Sequence, residues 1–198
     1  MRAWRSDRAG RQVGATALAL CALALLVAAC DRAPDVGQVR AYSKDGISFS
    51  YPGNWSVTED DDNPSDGSSR TLSVDSSGDP MVTVVRMRMP AELSPDQYPA
   101  VLSLEGFFEK HSEYMIEKMR AQVSSAVPVR RVVAGAARDG LERTVKAKLL
   151  KQKIVLRLQM FRIESPGTIT FLMVMVASED WESMHPGVEL VLTSFKVA

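Results

Sequence analysis

Cysteine and histidine are the chain's first scarcities. Its 198 residues hold two cysteines, Cys21 and Cys30, and two histidines, His111 and His185. Zinc needs three or four convergent ligands, which two separated histidines without a C-x-x-C pair do not supply. No G-x-S-x-G elbow presents a serine nucleophile. Bulk charge is lacking as well, with 24 basic residues against 24 acidic ones. Such a balance gives no general attraction to polyanions, so nucleic acid is not an expected partner. These absences point away from an enzyme, and no cofactor is expected.

What is present begins at the N-terminus. "MRAWRSDRAGRQ" carries four arginines and one acid, and from Val13 to Ala29 there is no charge. A basic start followed by a short apolar run is the pattern of a secretory signal peptide, too short and wrongly flanked for a stop-transfer helix. Its end, Val27-Ala28-Ala29-Cys30, resembles the lipobox of bacterial lipoproteins. That resemblance implies cleavage after Ala29 and acylation of Cys30 with palmitate-type chains. Asp31 resembles the signal that retains a lipoprotein in the inner membrane of enteric-type bacteria. Several acyl chains hold a protein stably, because each buried methylene contributes ~0.8 kcal/mol. The expected location is the bacterial cell envelope, lipid-anchored on the periplasmic side.

Losing residues 1–29 removes four basic residues and one acid, leaving 20 against 23. One cysteine then remains, so no disulfide forms and an apolar core must hold the fold. Residues 30–44 are polar and aperiodic after the cysteine, and read as a flexible tether. The expected globular domain is 45–198.

Within it, "DGISFSYPGNW" alternates Ile47, Phe49 and Tyr51 with serines, the mark of a half-buried strand. Pro52-Gly53 suits the centre of a type II turn. Along Met81–Met89, Thr83, Val85, Met87 and Met89 share one face, with Val82, Val84, Arg86 and Arg88 on the other. A long helix follows, with Ser94 as N-cap, Pro95 at the first position and Gln97 closing a capping box. Its inward stripe is Leu104, Phe108, His111, Met115 and Met119. Strand signals return after Val127–Val129, with turns predicted at Asp139-Gly140 and Ser165-Pro166-Gly167. "TITFLMVMVA" is apolar on both faces, as a central strand requires. A closing helix is expected after Ser178, interrupted at Pro186, with Met184, Val188, Val191 and Phe195 inward. The fold class is α+β: a single domain whose antiparallel sheet is flanked by helices.

The "YP…W" opening, central helix, run of strands and closing "VMVASEDWESMHPGVELVLTSFKV" are similar to the PsbP-like superfamily over about residues 44–198. The resemblance implies an α/β/α sandwich and a non-enzymatic accessory or binding role. Members include photosystem II extrinsic subunits, envelope lipoproteins of the DcrB kind and secretion-effector chaperones. No catalytic set is carried over. The expected partners are the membrane, through the lipid anchor, and an envelope protein.

Three other patterns bear on chemistry. Glu59, Asp60, Asp61, Asp62 and Asp66 could gather a hard cation, but without EF-hand spacing they read better as a solvated loop. Met87/Met89 and Met173/Met175 place paired thioethers on strand faces, which would suit Cu(I) in a metal-handling alternative, and suit core filling better. Between Arg130 and Arg162 lie ten Lys/Arg against two acids. Alternation sets Lys146 and Lys148 on one outer face, and Lys153 and Arg157 on the next. This basic surface could rest on anionic headgroups or an acidic partner, or be a solvated face that discourages edge pairing.

Overall fold

The structure is a computed structural model that describes residues 33–60, 68–77, 79–92, 97–149 and 152–197. In chain order its strands are β1 (Val39–Lys44), β2 (Ile47–Pro52), β3 (Ser56–Glu59), β4 (Ser69–Ser76) and β5 (Asp79–Arg88). A 3-10 turn (Ala100–Leu102) leads into α1 (Leu104–Met119). Then come β6 (Gln122–Val123), β7 (Val127–Val133), β8 (Ala136–Leu149), β9 (Gln152–Ser165) and β10 (Thr168–Ala177), followed by α2 (Trp181–Ser194) and β11 (Lys196–Val197). Among the described residues no helix is long and apolar enough to cross a membrane.

The eight-stranded sheet runs β3-β4-β5-β10-β9-β8, with β7 and β6 sharing the last lane against successive halves of β8. Every pairing is antiparallel. The predicted central strand is β10, flanked by β5 and β9 and buried on both faces. Alternation then sorts side chains into two cores. Leu72, Val74, Val82, Val84, Phe161, Leu172 and Val174 face α2 and the small β1-β2-β11 sheet. Val85, Met87, Leu158, Met160, Phe171 and Met173 lie on the opposite face with Phe108 and Met115 of α1. The architecture is thus an α+β sandwich, a large antiparallel sheet flanked by two helices.

Several local expectations change. Val39–Lys44, read as part of a flexible tether, is strand β1, paired residue for residue with β2. Its polar sequence gives no alternation; hydrogen bonding to β2 supplies the order. The compact unit begins earlier still, at Pro34. Asp35 accepts from the Gly53 amide at 3.1 Å, and Asn54 Oδ1 accepts from the Asp35 amide at 2.8 Å. Residues 34–38 therefore form a strap over the main body.

Two glycines make room for this strap. A Cβ at Gly53 would lie 2.6 Å from the Gln38 carbonyl oxygen, and one at Gly187 would lie 2.6 Å from Pro34 Cβ and 2.7 Å from the Trp55 ring. Gly53 keeps a negative φ and the turn closes from Trp55 N–H to Pro52 O, so the expected type II turn centred on Pro52-Gly53 is not formed. Gly187→Ala should cost roughly 1–3 kcal/mol by overpacking against the rigid indole. Urea unfolding would measure it; an unchanged midpoint would contradict this account of the strap.

Asp139 and Gly140 lie inside β8, and the chain reverses instead at Ala134-Gly135, whose φ values of 53° and 73° suit a tight hairpin. Gly140 faces Phe161 across the pair, with space for no Cβ, because the Phe161 ring would be 2.5 Å away. The Ser165–Gly167 turn forms as expected, Gly167 having φ 68°. Helix α1 begins at Leu104, capped by Ser103 accepting from the Gly106 amide at 2.9 Å. Ser94 lies outside the described residues, and Pro99 precedes a separate 3-10 turn. Helix α2 starts at Trp181 and continues through Pro186 without the expected break, while Ser178 donates its amide to Val155 O instead of capping.

Candidate functional site: a basic groove at the end of a long hairpin

The register of β8 with β9 decides which predicted cations meet. Lys146 stands opposite Val155, Lys148 opposite Lys153, and Thr144 opposite Arg157. Directly opposed residues share a face, so all four predicted cations project from one side of the sheet. They do not share one role. Lys146, Lys148 and Lys153 are exposed. The Arg157 guanidinium lies 4.5 Å from the Trp181 ring centroid, with its Nε 3.6 Å from Glu142 Oε1. Arg157 thus packs on Trp181 and pairs with Glu142, unlike the three lysines. Trp181 also carries the Arg131 guanidinium at 5.4 Å, and Arg131 Nη1 reaches Glu189 Oε1 at 3.3 Å. Two cations on one indole bind α2 to the sheet.

Arg120 and Gln122 join the three lysines. Arg120 ends α1 in the left-handed region at φ 50°, and Gln122 pairs with Lys146 through the two-residue β6. Arg120, Gln122, Lys146, Lys148 and Lys153 line a groove of about 360 Å³ whose apolar parts are Ala147, Ile154 and Val155. No acid lines it. A second hollow of about 340 Å³ shares Lys153–Val155 and includes Glu179. Val155 is 40% exposed, an aliphatic side chain left open beside lysines. Lys148 and Lys153 are like charges in direct cross-strand opposition, a destabilising arrangement.

What this arrangement can do is bind anions. It has no nucleophile paired with a base, and among the described residues no group of three or more His, Cys, Asp or Glu could hold a metal ion. Another hollow, of about 600 Å³, is lined by Pro90, Ala91, Tyr98, Glu164 and the Ser165–Gly167 turn, and among the described residues it carries one acid and no cation.

The remaining predicted positions are quickly placed. Cys30, Val27, Ala28, Ala29 and Asp31 lie outside the described residues, as do Asp61, Asp62 and Asp66. Glu59 accepts from Lys44 Nζ at 2.9 Å and Tyr42 Oη at 2.9 Å, and pairs with Arg70, which also holds Asp45. The Lys44 hydrogen bond, with Tyr42 and the Arg70 charge, holds the Glu59 carboxyl below its ordinary pKa. Glu59 thus fastens the β1–β2 hairpin to the large sheet. The acidic-loop metal reading loses the donor at its edge. Met87, Met89, Met173 and Met175 all pack in or against the core beneath α1, as gap-filling side chains.

His185 lies within α2 with Nε2 3.1 Å from Glu189 Oε1. His111 is half-buried on the inner side of α1, and burial lowers its pKa. Its unfolded form therefore takes up a proton first as pH falls. Stability should be full above the ordinary histidine value of about 6.5 and decline below it, through the lowered folded value. Urea midpoints between about pH 5 and 8 would show this. His111→Gln should flatten that part of the profile, and an unchanged slope would refute the assignment.

Comparison with known proteins returns the fold. The solution structure of cyanobacterial PsbP from Synechocystis sp. PCC 6803 matches with a TM-score of 0.57 at 16% identity, covering 82% of this chain and 94% of that one. A Bacteroides thetaiotaomicron protein matches at TM-score 0.44 and 11% identity, over 81% of this chain and 49% of that one. LpqN of Mycobacterium tuberculosis, involved in cell envelope biogenesis, matches at TM-score 0.40 and 9% identity, over 81% and 91%. No family profile and no curated protein matches. None of these likenesses singles out the DcrB kind. The sandwich, its strand order and the Synechocystis match together give the chain the PsbP-like fold.

Proposed function

We infer that the protein is a non-enzymatic accessory module of the bacterial cell envelope, moored to a membrane by acyl chains on Cys30. The observation that carries this reading is Val27-Ala28-Ala29-Cys30 closing an uncharged run that starts at Val13. Support comes from the fold it shares with cyanobacterial PsbP, and from a surface that offers a cationic groove without catalytic groups. The retention signal at Asp31 favours the inner membrane. The contact surface for an anionic partner is Lys146, Lys148 and Lys153, joined by Arg120.

Detergent-phase partition of the chain from a bacterial host tests the anchor. The wild-type protein is expected in the Triton X-114 phase, and Cys30→Ala in the aqueous phase. Equal partition of the two would end the reading.

A further inference from the structure

We propose that the basic groove takes the anionic headgroups of the bilayer that holds Cys30, so that the domain lies face-down on its own membrane. This deepens the anchored reading above and rests on it. Three observations lead there.

The groove's cations, Arg120, Lys146, Lys148 and Lys153, are not ion-paired among the described residues, although neighbouring Arg131 and Arg157 both are. The Lys148–Lys153 opposition costs stability within the fold, and a negative layer outside would relieve it. The groove is also not purely polar. Val155, 40% exposed, sits opposite Lys146 with Ile154 beside it. Lysine stems around an open aliphatic side chain match the boundary between headgroups and acyl chains, where charge and apolar surface are both satisfied.

The strap supplies the third observation. Pro34 is already packed against Gly187 of α2. Lys146, Lys148 and Lys153 project from the same side as Arg157, whose guanidinium rests on Trp181 of α2. The strap and the groove's three lysines therefore occupy one side of the large sheet, while Arg120, Ala147 and Ile154 close the groove from the side of α1. Cys30 precedes Pro34 by four residues, which span at most about 14 Å when extended. An acylated Cys30 would hold this side of the domain near the bilayer at high effective concentration. Each basic side chain near an anionic surface is worth roughly a fivefold gain in partition.

The test uses the mature acylated chain carrying Val155→Cys, labelled with the polarity-sensitive fluorophore NBD. Acylation of Cys30 leaves the introduced thiol as the reactive one. Vesicles of phosphatidylcholine alone are compared with vesicles containing phosphatidylglycerol, both bearing nitroxide lipids. The expected result is blue-shifted, quenched emission on anionic vesicles only. A Glu113→Cys label on exposed α1 should stay aqueous on both. Lys148→Glu with Lys153→Glu keeps a like-charged pair in place and should abolish the Val155→Cys shift.

Flotation of the same samples separates the two claims. A chain that floats on both vesicle types, with an aqueous Val155→Cys label on both, is anchored without using the groove. That result overturns the proposal and leaves an acidic protein as the groove's partner. A chain that floats only on anionic vesicles, with the label shifted, keeps the groove and loses the anchor. A chain that floats on neither loses both.

Discussion

Phe171→Ala should destabilise the domain by about 3–5 kcal/mol. Phe171 sits on β10, the central strand, with no exposed surface. Its ring stacks on Phe107 of α1 with centroids 4.0 Å apart and planes within 8°. Truncation removes the transfer energy of a whole ring and leaves a cavity between the helix and its sheet. Neither neighbour can collapse to fill it, because β10 is held by hydrogen bonds to β5 and β9 on both sides. The lost stacking adds about 0.5–1.5 kcal/mol. Since domains of this kind are stable by only about 5–15 kcal/mol, the variant should unfold at markedly lower urea. Phe171→Leu, which keeps most of the volume, should recover more than half of the loss. A Phe171→Ala midpoint close to wild type would mean that α1 does not depend on this contact.

Glu109→Ala should be the second large effect, about 2–4 kcal/mol, through a charge left behind. Arg143 is almost wholly buried, with 4% of its side chain exposed, and its guanidinium lies 4.5 Å from the Phe108 ring centroid. Both Nη atoms bond to Glu109, Nη1 at 3.2 Å. The carboxylate is itself 58% exposed, so it pays little desolvation while it neutralises the cation. Removing Glu109 strands the guanidinium beneath α1. Arg143→Met in the same background removes the stranded charge at similar volume, and should restore most of the stability. If the double variant is no better than Glu109→Ala, packing of the acid and not its charge explains the loss.

The alternating strands were readable because the side-chain period in a sheet is two and each face of β5 meets a different core. Val82 and Val84 against Val85 and Met87 divide as their spacing requires. What stayed hidden is what depends on residues far along the chain. Gly140 looks like half of a turn in Asp139-Gly140, yet its lack of a side chain serves Phe161 on the next strand. Val39–Lys44 has no apolar period and becomes a strand through its pairing with β2. Arg157 shares an alternation register with Lys153, and only the return of α2 across the sheet places Trp181 beneath it. Arg120 and Gln122 carried no signal beyond the end of α1, because the lane beside β8 is shared by two short strands that sequence spacing does not reveal. The proposed lipobox at Cys30 is different in kind, since such a motif would be read locally by a peptidase before any fold exists.

The intact mass of the protein, taken from membranes of a bacterial host, bears on the mooring most directly. Cleavage before Cys30 and a mass increment of diacylglyceryl, with or without a third acyl chain, is the outcome the account requires. A precursor still carrying residues 1–29, or a Cys30 that an alkylating reagent modifies, would contradict a mooring through acyl chains.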